Sequence, residues 1–221
     1  MPRKNIAVMT MIAVCTGGII GGVEEDALPE TCCRATIWVG FGQAAYLGPP
    51  LKLDAHSGSV DCFAYGVDAP FTLRTGGTGE RRVRGALIPA RTTHQVIADG
   101  RMLFLYLEPG LADTADDRIR TATGLLRSDP GQSAARVAAA IGLSTSRFPH
   151  LFPLSTGTSF RRYRLWVRMR HVAAAVSRGA DLTRASAEAG FASPSHFSDS
   201  FHAMFGLTAS ALLATARLVV S

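Results

Sequence analysis

The sequence is most specific in residues 185–206, which read ASAEAGFASPSHFSDSFHAMFG. The first part of this stretch predicts a short helix that ends in a glycine turn, and the part from Ser193 onward predicts a second helix. Ser193 suits the N-cap of the second helix because its hydroxyl can accept a hydrogen bond from a free backbone N–H. Pro194 suits the first turn, where a missing N–H costs nothing. Gly206 suits the left-handed C-terminal position.

The second helix of this stretch has one apolar face. Phe197, Phe201 and Phe205 recur every four residues, so they share a face that we expect in the core. The other faces are polar. A short helix of this kind after a tight turn has the shape that enters the major groove of DNA.

The same unit occurs earlier in the chain. Residues 137–144, VAAAIGLS, match residues 186–193, SAEAGFAS, in character, and an arginine-rich segment lies between the two copies. From residue 132 onward the pattern predicts only helices, namely Ala134–Ile141, Ser144–Leu154, Ser159–Val176, Leu182–Ala189 and Ser193–Phe205.

Charge divides the chain into two parts. Residues 1–117 contain 10 Lys or Arg and 13 Asp or Glu, whereas residues 118–221 contain 13 Arg and 4 acidic residues. A basic half beside a mildly acidic half indicates that one domain meets a polyanion. A solvated arginine-rich surface is the alternative explanation of the charge alone.

Residues 34–108 predict an all-β unit in which short strands are separated by Gly, Pro and Asp. Their number and spacing are typical of a sandwich or small barrel. Residues 111–126 predict a helical connector. The strands are expected at Ala35–Val39, Ala44–Leu47, Val60–Tyr65, Phe71–Arg74, Val83–Ile88, His94–Ala98 and Met102–Tyr106.

Residues 1–33 form a separate extension. Arg3 and Lys4 precede an apolar run from Ile6 to Val14, which resembles the start of a signal peptide. The run is too short and the following residues too rich in Gly for a membrane span. We therefore expect a poorly ordered extension, or a start assigned too far upstream, in preference to an export signal.

The cysteines also indicate the compartment. No C-x-x-C pair is present in the sequence, so the thiols are expected to be free in a reducing compartment. A redox-sensing role for the vicinal pair stays open. The four residues are Cys15, Cys32, Cys33 and Cys62.

Residues 132–210 resemble the DNA-binding domain of AraC/XylS-type transcription regulators. The resemblance rests on AGFAS at 189–193, SHFS at 195–198, FGLT at 205–208 and GTSF at 157–160, together with Phe201, Tyr163, Arg168 and Met169. It implies two helix-turn-helix units, joined by a linker helix, that enter successive major grooves on one face of DNA.

A second resemblance concerns the β unit. ALIPARTTH at 86–94, followed by LFLYL at 103–107, resembles the second half of the cupin-like sensor domain that precedes the DNA-binding part in many family members. The expected fold is therefore α+β: a cupin-like barrel or sandwich at 34–108, a helical linker at 109–131, and an all-α double helix-turn-helix domain at 132–221.

The resemblance also assigns contacts with DNA to both reading helices and to the linker helix. Arg168 is equally compatible with a structural brace between the two units. The residues expected at DNA are Ser146, Arg147, His150, Arg161, Arg162, Arg168, Ser195, His196, Ser198, Asp199 and His202.

Three residues depart from the family pattern. Pro149 and Pro153 lie inside the expected first reading helix, which should kink or fray after Phe148. Asp199 stands where the family usually has a basic residue, and phosphates repel its carboxylate unless it reads a cytosine amino group. These departures favour weak binding by a monomer, in which phosphate contacts dominate. Dimerisation would double the contacts and restore the affinity for DNA. They also leave open a degenerate regulator that keeps the fold without reading DNA.

The sequence thus predicts a cytoplasmic transcription regulator that is not an enzyme, has no cofactor or bound metal, and does not contact a membrane. Its expected partners are double-stranded DNA, an unidentified small-molecule effector and a second copy of the chain, with RNA polymerase a further candidate. The remaining alternative is a cupin-type metal enzyme, which needs clustered ligands or an acid–base pair. Asp54, His56 and Asp61 are the only close polar trio, and we expect them in turns. His94 alone cannot hold a divalent ion and is expected as a hydrogen-bonded barrel histidine.

Overall fold

A computed structural model describes residues 35–40, 42–77, 79–108 and 116–220. Nine strands precede the helices in these ranges, and one more strand follows them. The predicted extension at 1–33 lies outside the described residues. The strands are β1 Ala35–Gly40, β2 Gln43–Gly48, β3 His56–Ser57, β4 Asp61–Gly66, β5 Phe71–Thr75, β6 Gly79–Val83, β7 Gly85–Ile88, β8 Thr93–Ile97, β9 Met102–Leu107 and β10 Ala216–Val220.

The strands form two sheets that enclose the first hydrophobic core. The six-stranded sheet has the order β10-β1-β2-β9-β4-β7, and the four-stranded sheet has the order β3-β8-β5-β6. Successive side chains of a strand point to opposite faces, so alternate residues enter the core. Tyr46 and Phe104 enter it from the larger sheet, and Phe71, Leu73 and Val96 enter it from the smaller one. Of the two predicted architectures, sandwich or small barrel, the two separate sheets correspond to a sandwich.

All seven predicted strands are present, with ends shifted by at most two residues. Two strands that the pattern did not predict are β3 and β6. The first is only two residues long, and the second is a charged edge strand, GERRV, without alternating apolar residues.

Seven helices complete the described chain. The predicted connector is confirmed from residue 117, while residues 111–115 lie outside the described ranges. The helices are α1 Asp117–Ser128, α2 Ala134–Ala140, α3 Phe148–Thr156, α4 Phe160–Ser177, α5 Leu182–Glu188, α6 Pro194–Phe205 and α7 Ala209–Thr215. The predicted α+β organisation, with two helix–turn–helix units joined by the long helix α4, is confirmed.

The expectation that only helices follow residue 132 is wrong. The last strand, β10, pairs in parallel with β1, so that Trp38 lies in register with Val219. The free edge of β1 offers unpaired backbone groups, and the segment ARLVV ends in β-branched residues that favour a strand. The C-terminus of the helical half thereby becomes part of the β sheet.

The helices pack around α4, and this second core touches the first one. Tyr163 and Trp166 of α4 are almost fully buried. The Trp166 ring lies 5.8 Å from the ring of Tyr106 on β9, and Phe205 of α6 meets Tyr106 edge-on at 5.6 Å. Tyr106 therefore connects the sheet, the linker helix and the second reading helix.

Candidate nucleic-acid interface

The second reading helix, α6, has both of the predicted end signals. The hydroxyl of Ser193 accepts a hydrogen bond from the backbone N–H of His196 at 3.1 Å, and Pro194 occupies the first turn. Gly206 ends the helix with a φ of 74°. Phe197 is buried and Phe201 is half-buried against the helical core, so the apolar face lies where the spacing predicted it.

The first reading helix, α3, begins later than the sequence predicts. Ser144 caps a preceding turn by accepting the backbone N–H of Arg147 at 3.2 Å, and the helix starts only at Phe148. Pro149 therefore lies in the first turn, where proline removes no helical hydrogen bond. The predicted fraying after Phe148 is wrong, because the helix continues through Pro153 to Thr156.

The side chains expected to read DNA from these two helices are exposed. In the first unit these are Ser146, Arg147 and His150, and Leu154 beside them is 84% exposed. In the second unit the exposed residues are Ser195, His196, Ser198 and Asp199. Both reading helices thus bury an apolar face; α6 presents polar side chains to solvent, whereas α3 exposes Pro149 and Leu154 beside His150.

The linker arginines are mostly engaged within the protein. The Arg168 guanidinium lies 5.9 Å from the Phe191 ring centroid, and burial lowers its pKa. It also packs against Gly190, whose left-handed turn leaves room for it. Arg168 thus contacts the turn of the second unit from the linker helix, as the brace interpretation requires.

Two other expected DNA contacts point to the β unit instead. Arg162 donates a hydrogen bond to the Ser57 hydroxyl at 2.9 Å and also contacts the Ser57 carbonyl oxygen. Nε2 of His202 lies within hydrogen-bonding distance, 2.9 Å, of Oδ2 of Asp54. Among the predicted linker cations, Arg161 is the exposed one for which the described residues provide no partner.

A buried carboxylate that the sequence did not single out fixes the position of α4. Glu108 follows β9, and its side chain is fully buried. It accepts hydrogen bonds from Arg127 at 3.1 Å, from Arg170 at 2.7 Å and from the Tyr163 hydroxyl. Arg170 also donates to the carbonyl oxygen of Gly40 at 2.7 Å. An acidic residue directly after an apolar strand was the available signal for this cluster.

His94 is a hydrogen-bonded histidine in the β unit, as predicted. Its Nδ1 lies 2.8 Å from the carbonyl oxygen of Thr92. The cross-strand register brings His56 beside it, with 4.3 Å between ring centroids, and burial lowers the pKa of both residues, to about 4 for His56. His56 lies in β3 and Asp61 begins β4, so the turn positions predicted for these two residues are wrong. Within the described ranges, no three His, Cys, Asp or Glu side chains are placed to hold a metal ion.

An apolar cavity of about 120 Å³ lies between the six-stranded sheet and the helices. Val39, Ala44 and Tyr106 line it from the sheet, while Ala173 of α4 and Phe201 of α6 line it from the helices. The cavity therefore borders both the β unit and the second reading helix. No helix in the described part of the chain is long and apolar enough to cross a membrane.

Comparison with known proteins agrees with this architecture. Residues 137–215 match the family described as "Helix-turn-helix domain". The chain superposes on ToxT from Vibrio cholerae O395 with a TM-score of 0.56 and 11% identity, over 77% of this chain and 96% of that one. Fatty-acid-bound ToxT from Vibrio cholerae strain SCE256 gives the same TM-score and identity, over 79% and 97%. This identity establishes a shared fold only. No curated protein matches the chain significantly in sequence.

Proposed function

We propose that this chain is a sequence-specific AraC-type transcription regulator that binds double-stranded DNA, since residues 137–215 match a helix-turn-helix family. The supporting observation is that α6 buries an apolar face and presents Ser195, His196 and Ser198 to solvent, and that α3 buries Phe148 and Phe152 while Arg147 and His150 at its start are exposed. A helix of this kind, placed after a turn, reads base edges in the major groove. Two units on one linker helix would then contact two successive grooves.

The two reading helices differ in what they can contribute. Arg147 and His150 supply hydrogen-bond donors to phosphate or to base edges in the first groove. Ser195, His196 and Ser198 supply smaller polar groups in the second groove. Because Arg162 and His202 are held by the β unit, most of the affinity should come from the first unit and from Arg161.

A titration of fluorescent DNA from the region upstream of the gene tests this proposal. Salt-sensitive binding is expected, and it should exceed binding to a shuffled duplex. Arg147→Ala should weaken specific binding about 10-fold or more, since a good bidentate base contact contributes about 1–3 kcal/mol. Arg81→Ala, on the exposed strand β6, is the matched control and should leave the affinity unchanged.

The outcome separates a working regulator from a degenerate one. A folded protein that shows no salt-sensitive binding at micromolar concentration would be a regulator that has lost DNA reading. Asp199 is the residue that favours this second candidate, since it is an exposed carboxylate on the face expected to meet DNA. Circular dichroism of the same sample establishes whether the helices are formed.

We further infer that the cavity between the sheet and the helices receives an apolar effector. An engineered cavity of about 150 Å³ lined by apolar side chains binds benzene, and this cavity of about 120 Å³ has the room for a group of that size. The fatty acid bound by one ToxT structure supports an apolar ligand in this fold. An occupant would contact both the β unit and α6, so that binding could shift the position of the reading helix.

Toluene is the probe for this site. We expect it to raise the melting temperature of the protein by a few degrees, because a ligand of the folded state stabilises it. Ala173→Leu should abolish the shift by filling the cavity, whereas Ala174→Leu, the next residue along α4 and outside the lining, should retain it. An equal shift in both variants would show binding elsewhere.

The remaining assignments follow from the regulator function. A protein that acts on chromosomal DNA operates in the cytoplasm of a bacterium, and a homodimer would double its contacts with DNA. RNA polymerase is the partner expected if the protein activates transcription.

A further inference from the structure

The six-stranded sheet has a second apolar face, which lies opposite the core. The register of the six strands places one residue of each strand in a single row across this face, and every member of the row is apolar. The row consists of Val219, Trp38, Ala45, Leu105, Phe63 and Leu87. We call this surface the outer face.

Further apolar residues extend the outer face on both sides of this row. Leu47, Leu103 and Tyr65 form part of the next row, which ends in Thr36 and Arg217, and Leu107 lies between Gln43 and Asp61 in the row on the other side. The Phe63 and Tyr65 rings stack with 6.4 Å between centroids. Leu87 is 58% exposed and Leu107 is 40% exposed, Trp38 and Phe63 are half-buried, and the central residues Ala45, Leu103 and Leu105 are only 5–8% exposed.

The outer face is separate from both hydrophobic cores. The core residues of the same strands, such as Tyr46, Phe104 and Cys62, alternate with it and point the other way. None of the six residues of the row belongs to either core cluster of the described chain. The largest contiguous apolar patch on a soluble monomer is often an interaction site.

The dimensions of the outer face favour a small occupant. Six strands about 4.8 Å apart give a width of about 24 Å, and three rows give a length of about 14 Å. The resulting area, roughly 350 Å², is less than half of the roughly 800 Å² that each partner buries in a stable protein–protein interface. A second copy of the chain is therefore too large a partner for this face alone.

The segment that precedes β1 offers an occupant of the right size. Its run Ile6–Val14, IAVMTMIAV, contains only one polar residue, Thr10. Nine extended residues span about 30 Å, which matches the width of the face. The residues between Val14 and Ala35 could bridge about 66 Å when extended, so the run can reach any strand.

We propose that the run Ile6–Val14 binds across the outer face and covers the row from Val219 to Leu87. The run and the face are each apolar. Because they belong to one chain, their contact does not cost the translational and rotational entropy that two separate molecules lose on binding. This interaction concerns the opposite side of the sheet from the effector cavity, so it does not depend on the proposed function.

Photo-cross-linking of the full chain tests the proposal. The photoreactive amino acid p-benzoylphenylalanine replaces Phe63 in one variant. In the matched control it replaces Ile97, which is 39% exposed on the four-stranded sheet. After irradiation, mass spectrometry should find position 63 joined to a peptide from the run Ile6–Val14, and position 97 joined to none of it.

Mixing ¹⁵N-labelled and unlabelled chains identifies which molecule supplies the cross-linked peptide. Links within one chain support the proposal. Links between chains would show that the run of a second copy occupies the face. An absence of links to the run would show that the run does not bind there. Either result overturns the proposal, as does an intact mass showing that residues 6–14 are removed from the mature protein.

A second measurement does not depend on the photoreactive residue. The double variant Ile6→Asp, Ile12→Asp should raise the fluorescence of an apolar-surface dye at least twofold, because the charged run no longer covers the face. Ile19→Asp, Ile20→Asp changes the same number of isoleucines outside the run and should have no effect. Equal dye binding in the two variants would overturn the proposal.

Discussion

The carbonyl oxygen of Gly206 accepts a hydrogen bond from the backbone N–H of Asp54 at 2.8 Å. This contact joins the end of the second reading helix to the β unit, and the hydrogen bond between the side chains of His202 and Asp54 reinforces it. A Cβ atom at position 206 would lie 2.6 Å from the Asp54 carbonyl oxygen and 2.7 Å from Nδ1 of His56. Glycine at this position therefore allows the close approach of the β unit and also ends the helix in a left-handed conformation.

We predict that Gly206→Ala destabilises the protein by about 3 kcal/mol. Its φ of +74° costs a side chain about 1–2 kcal/mol, and the close approach to Asp54 adds the cost of overpacking, about 1–3 kcal/mol. Gly142→Ala is the matched control, since its φ is +67° and no atom lies within 4 Å of the added Cβ. Urea unfolding measures both variants. Equal losses would show that only the backbone conformation matters.

The buried carboxylate of Glu108 should contribute strongly to stability. Glu108→Gln removes the carboxylate that Arg127 and Arg170 share, and breaking a buried charge cluster in this way costs about 3–5 kcal/mol. Glu80→Gln removes the exposed ion pair with Arg74 and should cost less than about 1 kcal/mol. Urea unfolding monitored by circular dichroism compares the two. A loss below 1 kcal/mol for Glu108→Gln would contradict the assigned role.

Local sequence signals predicted much of this architecture. Some features depend only on residues close together in the chain, so the sequence alone predicts them. These are the caps of α6, the spacing of Phe197, Phe201 and Phe205, and the alternating pattern of the strands. The sequence did not predict the start of α3 correctly, because Ser144 caps a turn that precedes the helix.

Long-range pairings could not be predicted in the same way. The parallel pairing of β10 with β1 joins residues about 180 positions apart, and nothing in ARLVV specifies that partner. The pairing of His56 with His94 likewise depends on the register between β3 and β8. The engagement of Arg162 by Ser57 follows from how two domains dock, whereas the sequence indicated only that a cation lies on the linker helix.

The buried His56 should make stability depend on acidity. Burial is the main cause that lowers its pKa to about 4 from an ordinary 6.5, and burial lowers the pKa of His94 as well. The unfolded chain therefore takes up a proton at higher pH than the folded one does, so the folded state loses stability as the pH falls from 6.5 towards 4. The shift of His56 corresponds to about 3 kcal/mol over that window.

His56→Gln should flatten this part of the stability profile. Urea unfolding at a series of pH values between 7 and 4 gives the comparison, and the exposed His150 provides the control variant His150→Gln. The control should keep the slope of the unchanged protein. A slope that survives in His56→Gln would assign the acid sensitivity to other groups.

The exposed carboxylate of Asp199 should limit the affinity for DNA. Asp199→Arg replaces a charge that phosphates repel by one that they attract, so we expect binding to tighten about 10-fold at 50 mM salt and to fall more steeply as salt is added. Asp117→Arg makes the same charge change on α1, outside the helix-turn-helix units, where the Asp117 side chain is 90% exposed. The effect of Asp199→Arg should exceed that of this control. If Asp199 instead reads a cytosine amino group, the variant should lose preference for its own site over a shuffled duplex while its nonspecific binding rises.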